Sequence, residues 1–125
     1  MTVERTTYEQ LPPPSGAYSH VAAVGDLLFT AGVGPADRDG AVPDGIADQA
    51  RAALTNLEAV LLAAGSSFDD VLKVTVHLAD VDRDFAEFDG VYRSMLNAPY
   101  PVRTTVGSAL GGILIEVDVV AVRRR

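Results

Sequence analysis

Over residues 46–64 apolar side chains recur every three or four positions: Ile46, Ala50, Ala53, Leu54, Leu57, Val60, Leu61 and Ala64. At 3.6 residues per turn these positions form one continuous stripe, so the spacing predicts a helix that must bury a face. Its opposite face carries Asp48, Arg51, Thr55 and Glu58 and is wetted. Asp44 is placed to cap the start of this helix, and Gly65 to end it as a left-handed C′ residue.

What covers that stripe is legible in the flanking patterns. Residues 71–79 alternate as a strand does, with Val71, Lys73, Thr75 and His77 on one side and Leu72, Val74, Val76 and Leu78 on the other. The second set is expected against helices. Upstream, a short strand over 3–8 is followed by Leu11-Pro12-Pro13-Pro14-Ser15-Gly16, where three prolines fix φ and remove three amide donors. Residues 20–24 and 27–31 read as a hairpin turning at Gly25-Asp26, and a loop rich in Gly, Pro and Asp spans 34–44.

A second helix is predicted from Asp84, whose carboxylate would cap it while Glu87 completes a capping-box pattern. Phe85, Phe88, Val91, Tyr92, Met95 and Leu96 form its apolar face, and Asn97, Pro99 and Pro101 stop it. Two closing strands, 103–109 and 113–122, are joined through Leu110-Gly111-Gly112 and are expected to pair as an antiparallel hairpin. This order predicts an α+β fold in which one mixed sheet carries both helices on one face. The other face still has Val102, Val106 and alternate residues of 113–122 to hide. A homo-oligomer is the economical cover.

The 125 residues fit one domain, 1–125, with a single core. Hydrophobic residues at 48% against 22% charged ones exclude a disordered chain. Without cysteine, neither disulfides nor thiolate chemistry is available. The polar start MTVERTTYEQ has no signal-like apolar core, and no apolar run approaches the ~20 residues that span a bilayer. A cytoplasmic protein without a membrane partner is expected. A net charge of −7, with Lys73 the sole lysine, repels a phosphate backbone and argues against a nucleic-acid partner. The terminal Arg123, Arg124 and Arg125 are read as a frayed, solvated end.

His20 and His77 lie on different elements without metal-ligand spacing, so each is expected as a hydrogen-bonded core or interface residue, and no metal or cofactor is expected. Gly32-Val33-Gly34 lacks a following helix and GK[ST], and Ser15, Ser19, Ser66 and Ser67 lack a GxSxG context. What remains is Arg103, entering a strand after Pro99-Tyr100-Pro101, and Glu116, amid Ile113-Leu114-Ile115 and Val117. A charge within apolar strands needs a partner or a ligand, because desolvating it alone is expensive. A structural Arg103–Glu116 ion pair, or a Glu116 that faces solvent, satisfies the pattern equally well.

Several segments together resemble the Rid (YjgF) family. Gly16-Ala17-Tyr18-Ser19-His20 is similar to its GPYSQ segment and Leu28-Phe29-Thr30-Ala31-Gly32-Val33 to LFTSGQ. Gln49-Ala50-Arg51, Asn56-Leu57 and Ala63-Ala64-Gly65-Ser66-Ser67 resemble Q-x-R, NL and AAGSS. Val71-Leu72-Lys73-Val74-Thr75-Val76 is similar to VVKTTV, and the stretch from Phe85 to Tyr92 to FxxVNxVY. Pro101-Val102-Arg103-Thr104-Thr105-Val106 resembles PARSxV, and the segment from Ile115 to Val122 resembles IEIEAIAV.

The resemblance implies a chorismate-mutase-like fold assembled as a homotrimer, its sheets forming a central barrel and its sites lying between subunits. It implies hydrolysis of 2-imino acids or their enamine tautomers to 2-keto acids and ammonia, without metal or organic cofactor. By the same resemblance Arg103 binds the substrate carboxylate and Glu116 orients a water, while Tyr18, Ala31, Gly32, Asp89 and Thr105 line the pocket. A ribonuclease role is sometimes attached to the family; the acidic charge argues against it here. The chain departs from the pattern at Ala31 and Val33, where Ser and Gln are common, at Ala17 for Pro and His20 for Gln. It departs also at Asp89 for Asn and Thr105 for Cys. A carboxylate at Asp89 beside an anion site is expected to oppose small imino acids. The departures keep two alternatives open: a deaminase or hydrolase for a larger carboxylate, and a non-catalytic carboxylate-binding regulatory trimer.

Overall fold

The predicted apolar stripe is buried almost in full: Ile46, Ala50, Ala53, Leu54, Leu57, Val60 and Leu61 all lie in the core of helix α1 (Ile46–Ala63). The helix ends as its sequence dictates. Gly65 takes φ +83°, the Ser66 amide donates to the Leu61 carbonyl and the Gly65 amide to that of Leu62, the paired bonds of a Schellman motif. Its start differs from expectation. The N-cap is Gly45, at φ +79°, and no side chain caps it; Asp44 does not. Gln49 ties this end down instead, donating to the Pro43 carbonyl and accepting from the Leu114 amide.

The computed structural model describes residues 1–124, and its elements follow one another as β1 (Glu4–Thr6), β2 (Val21–Val24), β3 (Leu27–Thr30), α1, β4 (Val71–Leu78), α2 (Val81–Met95), β5 (Val102–Gly107) and β6 (Ile115–Val122), with a short 3-10 turn (Phe68–Asp70) before β4. The six strands form one mixed sheet in the order β1-β2-β3-β6-β4-β5. Val74, Val76, Leu78, Ile115, Val117 and Val119 point from its centre into the core shared with α1 and α2. The architecture is α+β, as expected. Among the described residues no helix is long and apolar enough to cross a membrane.

The closing hairpin is not formed. β6 inserts between β3 and β4, antiparallel to both, while β5 pairs parallel to the far edge of β4. Alternation reports which face a residue takes, not which strand lies beside it. The β4–α2–β5 segment is a crossover unit, and a helix between two strands permits the parallel pairing that a tight turn forbids. Gly111 and Gly112 do adopt positive φ, +65° and +105°, but their loop arches over the end of β4. There the Ser108 amide donates to the Leu78 carbonyl and the Ala79 amide to that of Leu114.

Three further expectations are corrected. α2 begins at Val81, three residues early, because Asp80 accepts from the Arg83 amide as N-cap; Asp84 lies inside the helix, its buried carboxylate held by the Arg83 guanidinium at 2.8 Å. A bulge between Val71 and Lys73 turns Val71 into the core and leaves Leu72 outside. The C-terminal arginines are anchored rather than frayed: Arg123 donates to the Gly25 carbonyl and to Glu4, and Arg124 to Asp70. Arg125 lies outside the described residues.

The sheet face away from the helices exposes Leu27, Phe29, Val102 and Val106 around a polar centre. There Lys73 donates to Thr104, and His77 shares a 2.7 Å hydrogen bond with Ser108 through Nδ1 and sits 3.7 Å from Asp118 through Nε2. Burial raises the Asp118 carboxyl above its usual range, opposed by His77 and Lys73. His20 is a buried strap: its Nδ1 accepts from the Tyr8 amide at 2.9 Å, so Nε2 carries the proton it gives to the Pro12 carbonyl at 2.8 Å.

Two outcomes are expected. The hydrogen bonds from Arg83 hold the Asp84 carboxyl below its ordinary range against the opposing effect of burial. A group with a depressed folded pKa stabilises fully above its unfolded value, roughly 3.9, and that contribution fades as pH falls through the folded value. Urea midpoints of Asp84→Asn should therefore decline less steeply with acid below about pH 4 than those of the parent chain. His20→Ala removes both ends of the strap and should cost about 1–3 kcal/mol in urea unfolding, since a buried amide and carbonyl lose their partner together.

Candidate functional site

Arg103 enters β5 paired with Val74, so its side chain lies on the helix face and runs under α2. Phe85, Phe88, Asp89 and Tyr92 recur at i, i+3, i+4 and i+7 of that helix and close around it. The guanidinium carbon stands 4.6 Å from the Tyr92 ring centroid, 5.3 Å from Phe88 and 5.6 Å from Phe85. Ring faces attract a cation electrostatically, which offsets part of its lost hydration. The Asp89 Oδ1 takes Arg103 Nη1 at 2.8 Å, and its Oδ2 takes Arg93 Nη2 at 2.9 Å. With a fifth of its side chain still exposed, Arg103 opens on a cleft of about 290 Å³ lined by Asp89, Tyr92, Arg93, Tyr100 and Pro101.

The Tyr92 hydroxyl is buried without a hydrogen-bond partner. Burial pushes its phenol above the ordinary range, partly opposed by Arg103, so it is a neutral phenol at physiological pH. Thr105 shares the Arg103 face of β5, two residues on, opposite Val76. Arg103 and Asp89 therefore form one ion pair, and the rings that hold it come from the stripe that the sequence marks only as apolar. An acid at position 89, inside that stripe, is the signal that a cation lies opposite.

A second cluster forms where β3 runs out. Ala31 and Gly32, with Tyr18, His20 and Val33, line a cavity of about 100 Å³ roofed by Leu11 and the three prolines. Gly32 has a steric reason to be glycine: a Cβ there would stand 2.6 Å from the Glu116 carboxyl carbon. Glu116 thus lies flat against the backbone of Gly32, which itself lines the cavity. The polar groups of the lining are already engaged within the chain. The Tyr18 hydroxyl pairs with Ser15, both His20 nitrogens are taken, and the Asn56 amide nitrogen donates to the Gly34 and Ala36 carbonyls. The cavity walls are mainly apolar.

The two clusters do not meet within one chain. β4 lies between the strand of Arg103 and the strand of Glu116. Glu116 pairs with His77 on the open face, whereas Arg103 pairs with Val74 on the helix face. An Arg103–Glu116 ion pair is therefore excluded, and Arg103 takes Asp89 instead. The repulsive role expected of Asp89 is altered too, because two guanidinium groups compensate its charge. Among the described residues no three His, Cys, Asp or Glu side chains converge as metal ligands.

Residues 8–123 match the family model described as endoribonuclease L-PSP. A RutC family protein of Pyrococcus horikoshii is 40% identical over 90% of this chain and 92% of its own length. The 2-iminobutanoate/2-iminopropanoate deaminase of Salmonella typhimurium is 34% identical over 93% of this chain and 94% of its own. Among solved structures, yeast YEO7 superposes with a TM-score of 0.92 at 36% identity, covering 98% of this chain and all of that one. Escherichia coli TdcF with bound serine superposes at 0.86 and 32% identity, covering 97% and 99%. A family model spanning nearly the whole chain, together with this identity and superposition, shows that the protein belongs to the endoribonuclease L-PSP family, the YjgF/RidA family.

Proposed function

We propose that this protein is a cofactor-independent imine deaminase that hydrolyses 2-imino acids, or their enamine tautomers, to 2-keto acids and ammonia. The observation that carries the reading is Arg103: a guanidinium clamped by three rings and one carboxylate at the floor of an open cleft. Its planar fork suits a carboxylate, which it can bind in two-pronged fashion. Relatives that carry the name deaminase, and a relative whose structure holds serine, a small carboxylate, support the same chemistry.

In the reaction, water adds to the C=N carbon, and the resulting carbinolamine expels ammonia as its hydroxyl becomes the keto group. Glu116 is assigned to orient that water and accept its proton, which passes to the departing nitrogen. Because an imine conjugated to a carboxylate is already electrophilic, positioning and proton transfer suffice. Arg103 and Glu116 lie in separate clusters of one chain, so the complete site is assigned to an interface that joins Arg103 of one subunit to the Gly32–Glu116 rim of its neighbour. A homotrimer is the proposed assembly, and the exposed Leu27, Phe29, Val102 and Val106 support it as surface awaiting cover. A larger substrate is favoured over the smallest imino acids by the apolar cavity beside Ala31 and Val33, which offers room for an aliphatic side chain.

Arg103→Ala should abolish keto-acid release when the protein is coupled to an amino-acid oxidase, and Arg103→Lys should recover little. Loss of a charge-assisted clamp costs on the order of 2–5 kcal/mol, a factor of roughly thirty to several thousand in kcat/KM. Glu116→Gln should lower kcat with a smaller change in KM, since it disturbs the water rather than the clamp. Wild-type turnover by a folded Arg103→Ala protein would refute the assignment of Arg103, whereas a parent chain without turnover on every imino acid tried would leave the carboxylate-binding regulator as the better reading. Light scattering at micromolar concentration should report three times the 13.1 kDa chain mass; a monomer would refute the interfacial site.

A further inference from the structure

Asp89 alters what the Arg103 cleft can recognise. Its two oxygens hold Arg103 Nη1 at 2.8 Å and Arg93 Nη2 at 2.9 Å, so one of the two guanidinium charges is cancelled before any ligand arrives. The carboxylate is not sealed in: 23% of the side chain remains exposed, and it lines the same cleft as Arg103. Each carboxylate oxygen has two lone pairs, so both can accept a further N–H beside the arginines. Arg103 in turn spends one terminal nitrogen on Asp89, and its guanidinium carries donors beyond that one. Anion and cation acceptors thus stand side by side in one opening.

We propose that Asp89 is a specificity-determining residue that makes this cleft a reader of zwitterions, with the ligand carboxylate on Arg103 and an adjacent protonated nitrogen on Asp89. The inference rests on the carboxylate role assigned to Arg103 above and adds the charge state of the substrate. In a 2-imino acid the nitrogen sits on the carbon next to the carboxylate carbon. A ligand held through its carboxylate by Arg103 therefore presents its nitrogen to the carboxylate that already grips that guanidinium. Protonation makes the imine both cationic and more electrophilic, so Asp89 stabilises the form that water attacks. The keto-acid product keeps its anion and loses the cation. Against it Asp89 is a like charge within a few ångströms, which favours release.

Calorimetric titration of the whole protein with 2-aminobutanoate, a zwitterion, and with 2-oxobutanoate, a pure anion, tests this. The parent chain should bind the aminobutanoate about tenfold more tightly. Asp89→Asn, nearly the same shape without the charge, should bring that ratio down by about tenfold, weakening the zwitterion and strengthening the anion, whereas Asp89→Glu should retain the preference. If Asp89 only buttresses Arg103, both ligands will shift in the same direction by similar factors in Asp89→Asn, and the proposal is overturned while the role of Arg103 stands. Failure of both ligands to bind the parent chain, or undiminished binding of both to Arg103→Ala, would overturn the assignment of Arg103 and this proposal with it.

Discussion

Strand β4 takes β6 along one edge and β5 along the other, antiparallel and parallel respectively, and each candidate residue owes its place to that pairing. Because paired residues share a face, Val74 fixes Arg103 beneath α2 and His77 fixes Glu116 on the open side. Val74, Val76 and Leu78 are fully buried between these neighbours and the helices, so the register has no freedom to slip. A shift of one residue would carry Arg103 to the open face and bury Val102 or Thr104 in its stead.

Arg103 poses the main electrostatic problem of the fold. A guanidinium drawn under a helix gives up hydration, and an apolar stripe alone would make that prohibitive. Two features of α2 compensate: the ring faces of Tyr92, Phe88 and Phe85, and the Asp89 carboxylate. They come from consecutive turns of one helix, which makes the cage stiff. Stiffness matters for recognition, since a preset fork loses less entropy when a carboxylate docks than a free arginine would. Tyr92 contributes in two ways, through its ring beneath the cation and through a neutral hydroxyl left unpaired.

The other cluster is organised by backbone rather than charge. The three prolines and the His20 strap hold the N-terminal segment over the end of β3, and the Val33–Val117 bridge keeps Gly32 against Glu116. Because Tyr18, His20 and the Asn56 amide nitrogen spend their hydrogen bonds on Ser15, Tyr8, Pro12, Gly34 and Ala36, the space beside them is mainly apolar although several of its walls are polar residues. One chain thus holds Arg103 on the helix face of its sheet and Glu116 on the open face. Their separation is the physical argument for a site completed by a second copy.

Much of the fold is readable from local chemistry. The α1 stripe, the Gly65 terminus, the Gly25-Asp26 hairpin and the alternation of β4 follow from periodicity and positive-φ demands that act within a few residues. Helix starts were less legible at Asp44 and Asp84, because several acids compete for each cap and only backbone geometry chooses Gly45 and Asp80. Arg103 and Glu116 could be singled out as charges in apolar strands, and the family resemblance pointed to the same pair. Who faces whom could not be read: alternation assigns faces but not neighbours, so an Arg103–Glu116 pair across a hairpin and a solvent-facing Glu116 stayed equally open. Only the tertiary structure, by sending β5 to the far edge of β4 through the α2 crossover, placed Arg103 against Asp89 and left Glu116 to Gly32. Strand order is a contest among long-range pairings, settled when the whole core packs, and no local pattern encodes its outcome.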